Sequence, residues 1–191
     1  MMRKRLLQLC IGVLIPMVLV CSCQRNQPNT AANTEVHALN LIVKSTAFKD
    51  GGAIPTKYTI DGFNISPPLE WSSAPKNTVS FAIIVDDPNA PSGTFTHWVL
   101  FNMPATVTGL PEGMPSIETL GNVAKQGTND GGKIGYMGPA PPSGTHRYRF
   151  KVYALDTKLQ LKSGSHVSDL SAAMQGHILA EGMLTGTYTR K

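Results

Sequence analysis

The chain has 191 residues, of which 17 are basic and 12 acidic, for a formal net charge of +5. Arg3, Lys4 and Arg5 supply three of the bases, so the chain from Cys23 onward carries 14 against 12, a balance that excludes a strongly basic nucleic-acid binder. Eighteen glycines and 14 prolines, with only 15% charged residues, suit short strands and tight turns better than a helical bundle.

The basic triplet opens a targeting segment. Leu6 to Val20 is an apolar run containing Pro16, and Val20-Cys21-Ser22-Cys23 follows at cleavage distance. This reads as a bacterial lipoprotein signal over residues 1–22, with Cys23 as the lipid-modified first residue of the mature protein. An ordinary signal peptide or an uncleaved anchor is the alternative, though the apolar run is short for a membrane span. The expected location is the cell envelope, facing away from the cytoplasm; Gln24 in place of Asp after Cys23 points to the outer membrane where a cell has two. All three cysteines, Cys10, Cys21 and Cys23, lie in this region, so the rest of the chain has no thiol for a disulfide, a metal or a nucleophile. Residues 23–38 are polar and unpatterned and form a tether that includes His37; a single domain is expected over residues 39–191.

That domain opens with Leu39, Leu41 and Val43 alternating with Asn40, Ile42 and Lys44, an edge-strand pattern, and Asp50-Gly51-Gly52 supplies a turn. Val79 to Val85 is apolar and β-branched, which predicts a buried strand ending at Asp86, Asp87 and a proline turn. The next apolar run, Trp98 to Asn102, begins just after His97, so a returning strand brings that imidazole back toward the two carboxylates. From Met103 to Gly135 the reading is mostly loop, with Pro104, Pro111 and Pro115 interrupting any strand and the polar stretch Gly121 to Gly132 forming turns. Arg147 to Leu155 alternates, placing Tyr148 and Phe150 on one face and Arg147 and Arg149 on the other. A helix is predicted from about Val167 to Met183, capped by Ser168 or Asp169, with Leu170, Met174, Ile178 and Met183 sharing a side.

The run Ile54 to Trp71, with Asp87-Pro88-Asn89-Ala90-Pro91, His97-Trp98, Gly135 to Pro142 and Gly144-Thr145-His146-Arg147-Tyr148, resembles the phosphatidylethanolamine-binding protein family, in its bacterial Raf kinase inhibitor-like branch. The resemblance covers nearly all of Leu39 to Tyr188. It implies a mainly β fold, a sandwich of two antiparallel sheets with a few short peripheral helices including one near the C-terminus, and a small anion pocket at one end of the central sheet. Carried over, that pocket falls on Asp87, His97, Ala140, His146 and Tyr148: Asp87 and His97 form its polar floor, with His97 donating to a phosphate or carboxylate oxygen, the Ala140 amide and the Tyr148 phenol add donors, and His146 stands at the rim. Two positions depart from the pattern, Asn89 where the family has Asp and Phe63 where it has a polar residue. A cis bond is expected at Ala90–Pro91, in the turn that carries the pocket.

Each of these residues also has a structural role open to it. Asp87 can cap its turn, and Trp71, Trp98 and Tyr136 read as core or wall aromatics, while His166 and His177 fit no constellation. The Asp87 carboxylate favours protonated His97, and burial opposes it. Three function classes follow. The leading one is a non-catalytic, lipid-anchored module that binds a phosphate, phosphoryl head group or carboxylate. A module that contacts or inhibits a kinase or protease comes second. An enzyme using Asp87 and His97 as acid and base, or with His146 as metal ligands, comes last, since no nucleophile elbow, His-Glu-x-x-His or phosphate loop is present. No cofactor, resident metal or nucleic-acid partner is expected.

Overall fold

The computed structural model describes residues 39–121 and 124–190. The signal segment, the tether and Cys23 lie outside the described residues. Among the described residues the order is β1 (Leu39–Asn40), β2 (Ile42–Lys44), β3 (Leu69–Ser72), β4 (Ser80–Asp87), β5 (Phe95–Pro104), β6 (Gly109–Leu110), β7 (Thr119–Leu120), β8 (Ala124–Gln126), β9 (Thr145–Leu155), α1 (Val167–Met174) and β10 (Ile178–Thr189). Seven strands form one sheet in the order β1-β10-β9-β4-β5-β8-β7, and β2-β3-β6 form a second. Pairing is antiparallel except for the two-residue contact of β1 with β10. The alternation from Leu39 to Lys44 thus serves two edges, because the chain leaves one sheet at Asn40 and joins the other at Ile42.

The core explains why β4 does not alternate. Its inner face, Phe81, Ile83 and Val85, packs with Trp98, Leu100, Tyr148, Phe150 and Val152 against Leu69 and Trp71 of the small sheet. Its outer face, Ala82 and Ile84, packs with Val99 and Phe101 beneath Leu159, Leu170 and Met174. A strand buried on both faces gains about 1.5 to 3 kcal/mol per large apolar side chain from either side, so a continuous apolar run is the favourable sequence.

Four expectations need correction. The helix stops at Met174, because Gly176 takes a left-handed backbone at φ +78, and Ile178 onward is a twelve-residue strand. Its N-cap is His166, whose amide donates to Asp169 Oδ2 at 3.0 Å. In the stretch read as loop, β5 runs through to Pro104 and β6, β7 and β8 follow, the last anchored by the fully buried Gln126. No cis peptide occurs among the described residues, so Ala90–Pro91 is trans; this turn closes through Gly93, at φ +105, whose N–H donates to the Ala90 carbonyl at 3.1 Å.

Candidate functional site

Strand parity separates the two adjacent carboxylates. Asp86 faces outward from β4 and accepts Arg149 Nε at 2.6 Å, Arg149 Nη2 at 3.0 Å and Lys151 Nζ at 2.6 Å. Asp87 faces inward, on the side of Val85 and Tyr148. Its Oδ1 accepts the Asn89 N–H at 2.8 Å, capping the turn, and its Oδ2 accepts His146 Nδ1–H at 2.6 Å. Both Asp87 and His146 are buried. Asn89 secures the turn from the other side, since its Oδ1 accepts the Arg147 N–H at 3.0 Å.

A bulge delivers His97. Asp86 pairs with Thr96 and Val85 pairs with Trp98, so His97 is the extra residue between them. In a regular strand it would share the outer face of Val99 and Phe101. Instead its ring lies 4.9 Å from Phe95 and 5.2 Å, edge to face, from Tyr148. Asp130 holds the bulge: Thr96 N–H donates to its Oδ2 at 2.6 Å, and its own N–H donates to the Thr96 carbonyl at 2.9 Å. Imidazole Nδ1–H donates to the Met137 carbonyl at 2.8 Å, and Met137 N–H donates to the His97 carbonyl at 2.9 Å. Burial drives the His97 pKa below the ordinary histidine value, outweighing the Met137 carbonyl and the Asp87 carboxylate, which raise it. The imidazole is therefore held neutral, contrary to the gain in charge that the carboxylate alone would give.

Tyr148 closes the cluster. It is fully buried, and its hydroxyl has no hydrogen-bond partner. The Asp87 carboxylate and the Ala140 amide face it without closing a bond, and burial together with Asp87 pushes the phenol pKa up. The Ala140 segment is clamped from outside by the loop 58–64. Asn64 Oδ1 accepts the Gly138 N–H at 2.7 Å, the Ile60 N–H donates to the Pro139 carbonyl at 3.1 Å, and Tyr136 OH donates to the Tyr58 carbonyl at 2.9 Å. A side chain at Gly138 would meet the Tyr58 carbonyl oxygen at 2.5 Å, so only glycine permits this approach. Asn64 itself sits at φ +53, a backbone that Asn tolerates better than most residues.

The structure thus brings Asp87, His97, His146, Tyr148 and the Ala140 backbone into one cluster. Among the described residues, Asp87, His97 and His146 do not converge as a metal-ligand set. Sequence reasoning missed Asp130, Asn64 and the Met137 carbonyl, which bond to Thr96 N–H, Gly138 N–H and His97 Nδ1–H. The Asn-Asp-Gly-Gly turn at Asn129 was the one visible signal. His177 pairs with exposed Asp156 at 2.8 Å, away from this cluster, and Phe63 is 78% exposed, so its departure from the family pattern fills no core. A separate cleft of about 620 Å³ lies over the small sheet, lined by Lys44, Glu70, Trp71 and Thr108, and shares no residue with the cluster.

Comparison with known proteins gives a consistent picture. The sequence model described as Phosphatidylethanolamine-binding protein matches residues 44–189. The UPF0098 protein of Methanothermobacter thermautotrophicus is 52% identical over 148 residues, covering 78% of this chain and 98% of its own. The UPF0098 protein of Pyrococcus horikoshii is 50% identical, covering 77% and 76%. Among solved structures, Escherichia coli YbcL, described as a member of the mammalian PEBP family, superposes with a TM-score of 0.74 at 36% identity, covering 80% of this chain and 99% of its own. The pocket motifs, the two-sheet fold and these relatives lead to one assignment: the chain belongs to the phosphatidylethanolamine-binding protein family.

Proposed function

We propose that this protein is a non-catalytic binding protein for a small oxyanion, a phosphate or a phosphoryl group, held in the cell envelope by a lipid on Cys23. The observation that carries this reading is the Tyr148 hydroxyl: buried, without a partner, and facing the Ala140 amide beside His97. An unpaired buried hydroxyl costs about 1 to 3 kcal/mol, a cost that an oxyanion accepting its proton would offset. The Ala140 amide and the Asp87 carboxylate both act on this phenol. Asp87 and His97 bond to separate groups, His146 and Met137, so neither is set as the other's base, and the reading assigns them no turnover.

Titration calorimetry with inorganic phosphate on wild type, Tyr148→Phe and His97→Ala tests the pocket. Both variants should bind more weakly, and equal affinity in all three would remove the assignment. The anchor is tested separately: Cys23→Ala should abolish lipid labelling and Cys21→Ala should not.

A further inference from the structure

Among the described residues the outer face of the large sheet is covered only in part. Leu159, Leu170 and Met174 lie over Ala82, Ile84, Val99 and Phe101, and Tyr153 of β9 packs at the border of that cluster. From there toward the start of β9, Lys151, Arg149 and Arg147 follow on one face at a spacing of about 7 Å. Opposite them on β10 stand Met183, which is 52% exposed, Thr185 and Thr187. This face holds a cleft of about 290 Å³ lined by Pro88, Arg147, Arg149, Met183 and Thr185, none of which belongs to the Asp87 cluster.

The lining of the cleft offers donors. Asp86 accepts Arg149 Nε at 2.6 Å and Arg149 Nη2 at 3.0 Å, a fork that fixes the guanidinium and leaves its Nη1 group unused. Asn89 Oδ1 accepts the Arg147 N–H at 3.0 Å and Arg147 Nε at 3.4 Å, while both Nη groups of Arg147 have no protein partner among the described residues. Asn89 is a position that departs from the family pattern, and its amide holds this guanidinium without supplying a counter-charge. The Thr185 hydroxyl, across from Arg149 in register, has no partner among the described residues and is not sealed from solvent. No carboxylate lines the cleft. Asp86 divides its charge between Arg149 and Lys151, Asp50 accepts the Thr185 N–H, and Glu181 lines a neighbouring cleft with Lys151 and Met183. A recess with two guanidiniums, a hydroxyl and no carboxylate is matched by a doubly charged oxyanion, because guanidinium groups pair with phosphoryl oxygens in charge-assisted hydrogen bonds. Met183 and Pro88 add an apolar wall for an organic group attached to it. We propose that this cleft is a second anion site, on the opposite face of the sheet from the Asp87 cluster, and that it takes a phosphoryl dianion, free or as a monoester. It stands on its own residues and does not depend on the reading of the inner cluster.

The test is a titration of the purified, isotope-labelled full chain with sodium phosphate and with phenyl phosphate, at constant ionic strength and about pH 8, where both are dianions. Proton–nitrogen correlation spectra separate the sites: Arg147 Nε–H and Thr185 N–H report the outer cleft, and His97 N–H and Tyr148 N–H the inner cluster. The Arg147 and Thr185 signals should shift saturably, with the same midpoint in Tyr148→Phe as in wild type. Arg147→Gln, read at Thr185, should weaken binding at least about tenfold, the scale of a lost hydrogen bond to a charged group. Asn89→Asp keeps the acceptor for Arg147 N–H and adds the missing counter-charge, and should weaken it about fivefold, the scale of one charge at contact distance in water. If either variant does not fold, the other decides. A tighter midpoint for phenyl phosphate assigns the cleft to monoesters, and a tighter one for phosphate assigns it to the free ion. Shifts that never saturate, or a midpoint unchanged in both variants, would overturn the site. Saturation at His97 and Tyr148 alone would overturn it and leave the function proposed above standing; saturation at Arg147 and Thr185 alone would do the reverse.

Discussion

Asp86 gives its carboxylate to Arg149 and Lys151 on the outer face of β4, whereas Asp87, one residue further, meets His146 and a turn amide on the inner face. On the outer face two cations at 2.6 Å neutralise a buried acid. At the inner region the acid is paired with an imidazole, and a phenol hydroxyl beside it stays unpaired. Identical side chains on the same strand end take different partners because strand parity sends them to opposite sides, where the cross-strand neighbours differ.

The contrast breaks most sharply at Asp86. Replacing it with Ala leaves Arg149 and Lys151 without their shared partner and should cost about 3 kcal/mol in urea unfolding, the lower end of the range for breaking a buried pair because both cations reach solvent. Phosphate affinity of that variant at the inner region should be unchanged; a large affinity loss there would mean that the two regions are coupled. Next in size is His97→Ala, which should weaken phosphate binding by about 1.5 to 3 kcal/mol, the scale of a hydrogen bond to a charged group. His177→Ala, at the exposed pair with Asp156, should not change it.

The acid side of the stability profile sharpens the picture of the inner region. Burial lowers the His97 pKa in the folded state, so the unfolded chain takes the proton first as pH falls through about 6.5. Stability is complete above that value and is lost as pH falls toward the depressed folded-state pKa, with a slope of at most about 1.4 kcal/mol per pH unit from this one group. Denaturant midpoints of wild type and His97→Gln, compared across that window, should converge toward acid pH; a constant difference would show that His97 does not titrate differently on folding.

Smaller effects separate binding from folding. Tyr148→Phe removes an unpaired buried hydroxyl, so it should keep or raise stability by about 1 kcal/mol while lowering phosphate affinity by a similar amount. Loss of both together would show that the hydroxyl has a structural partner. The smallest change concerns the clamp on Ala140. Asn64→Gly accepts φ +53 but gives up the acceptor for Gly138 N–H, and should lower affinity by about 0.5 kcal/mol, whereas Asn64→Asp keeps the acceptor and should restore it.

Much of the fold was legible because local pattern and burial agree. The apolar run before Asp86, the alternation across Arg147 to Leu155 and the Gly- and Pro-rich turns predicted the central strands within a few residues of β4, β5 and β9. The last strand was not legible. On its inner face Gly182 and Gly186 interrupt the alternation of Ala180, Leu184 and Tyr188, because a side chain at either position would strike Leu41 or Ile54 at 2.3 to 2.4 Å. Those glycines are explained by what packs over them, which no local window contains. Read locally, the same residues extend the apolar side of the preceding helix as far as Met183.

The sequence by itself determined the chemistry available at the strand end: two carboxylates before a proline turn, an imidazole ahead of the next strand, and a Gly-Thr-His-Arg-Tyr run that alternates. Only the tertiary structure decided which of them meet. The bulge turns His97 inward, cross-strand register gives Asp87 to His146 and Asp86 to Arg149, and the clamp from loop 58–64 sets the Ala140 amide opposite Tyr148. Burial then lowers the His97 pKa against the pull of three carboxylates. The composition of a site is a local property of the chain, but pairing and desolvation depend on segments 40 to 60 residues away, as the separations of 40 for His97 with Met137 and 59 for Asp87 with His146 show.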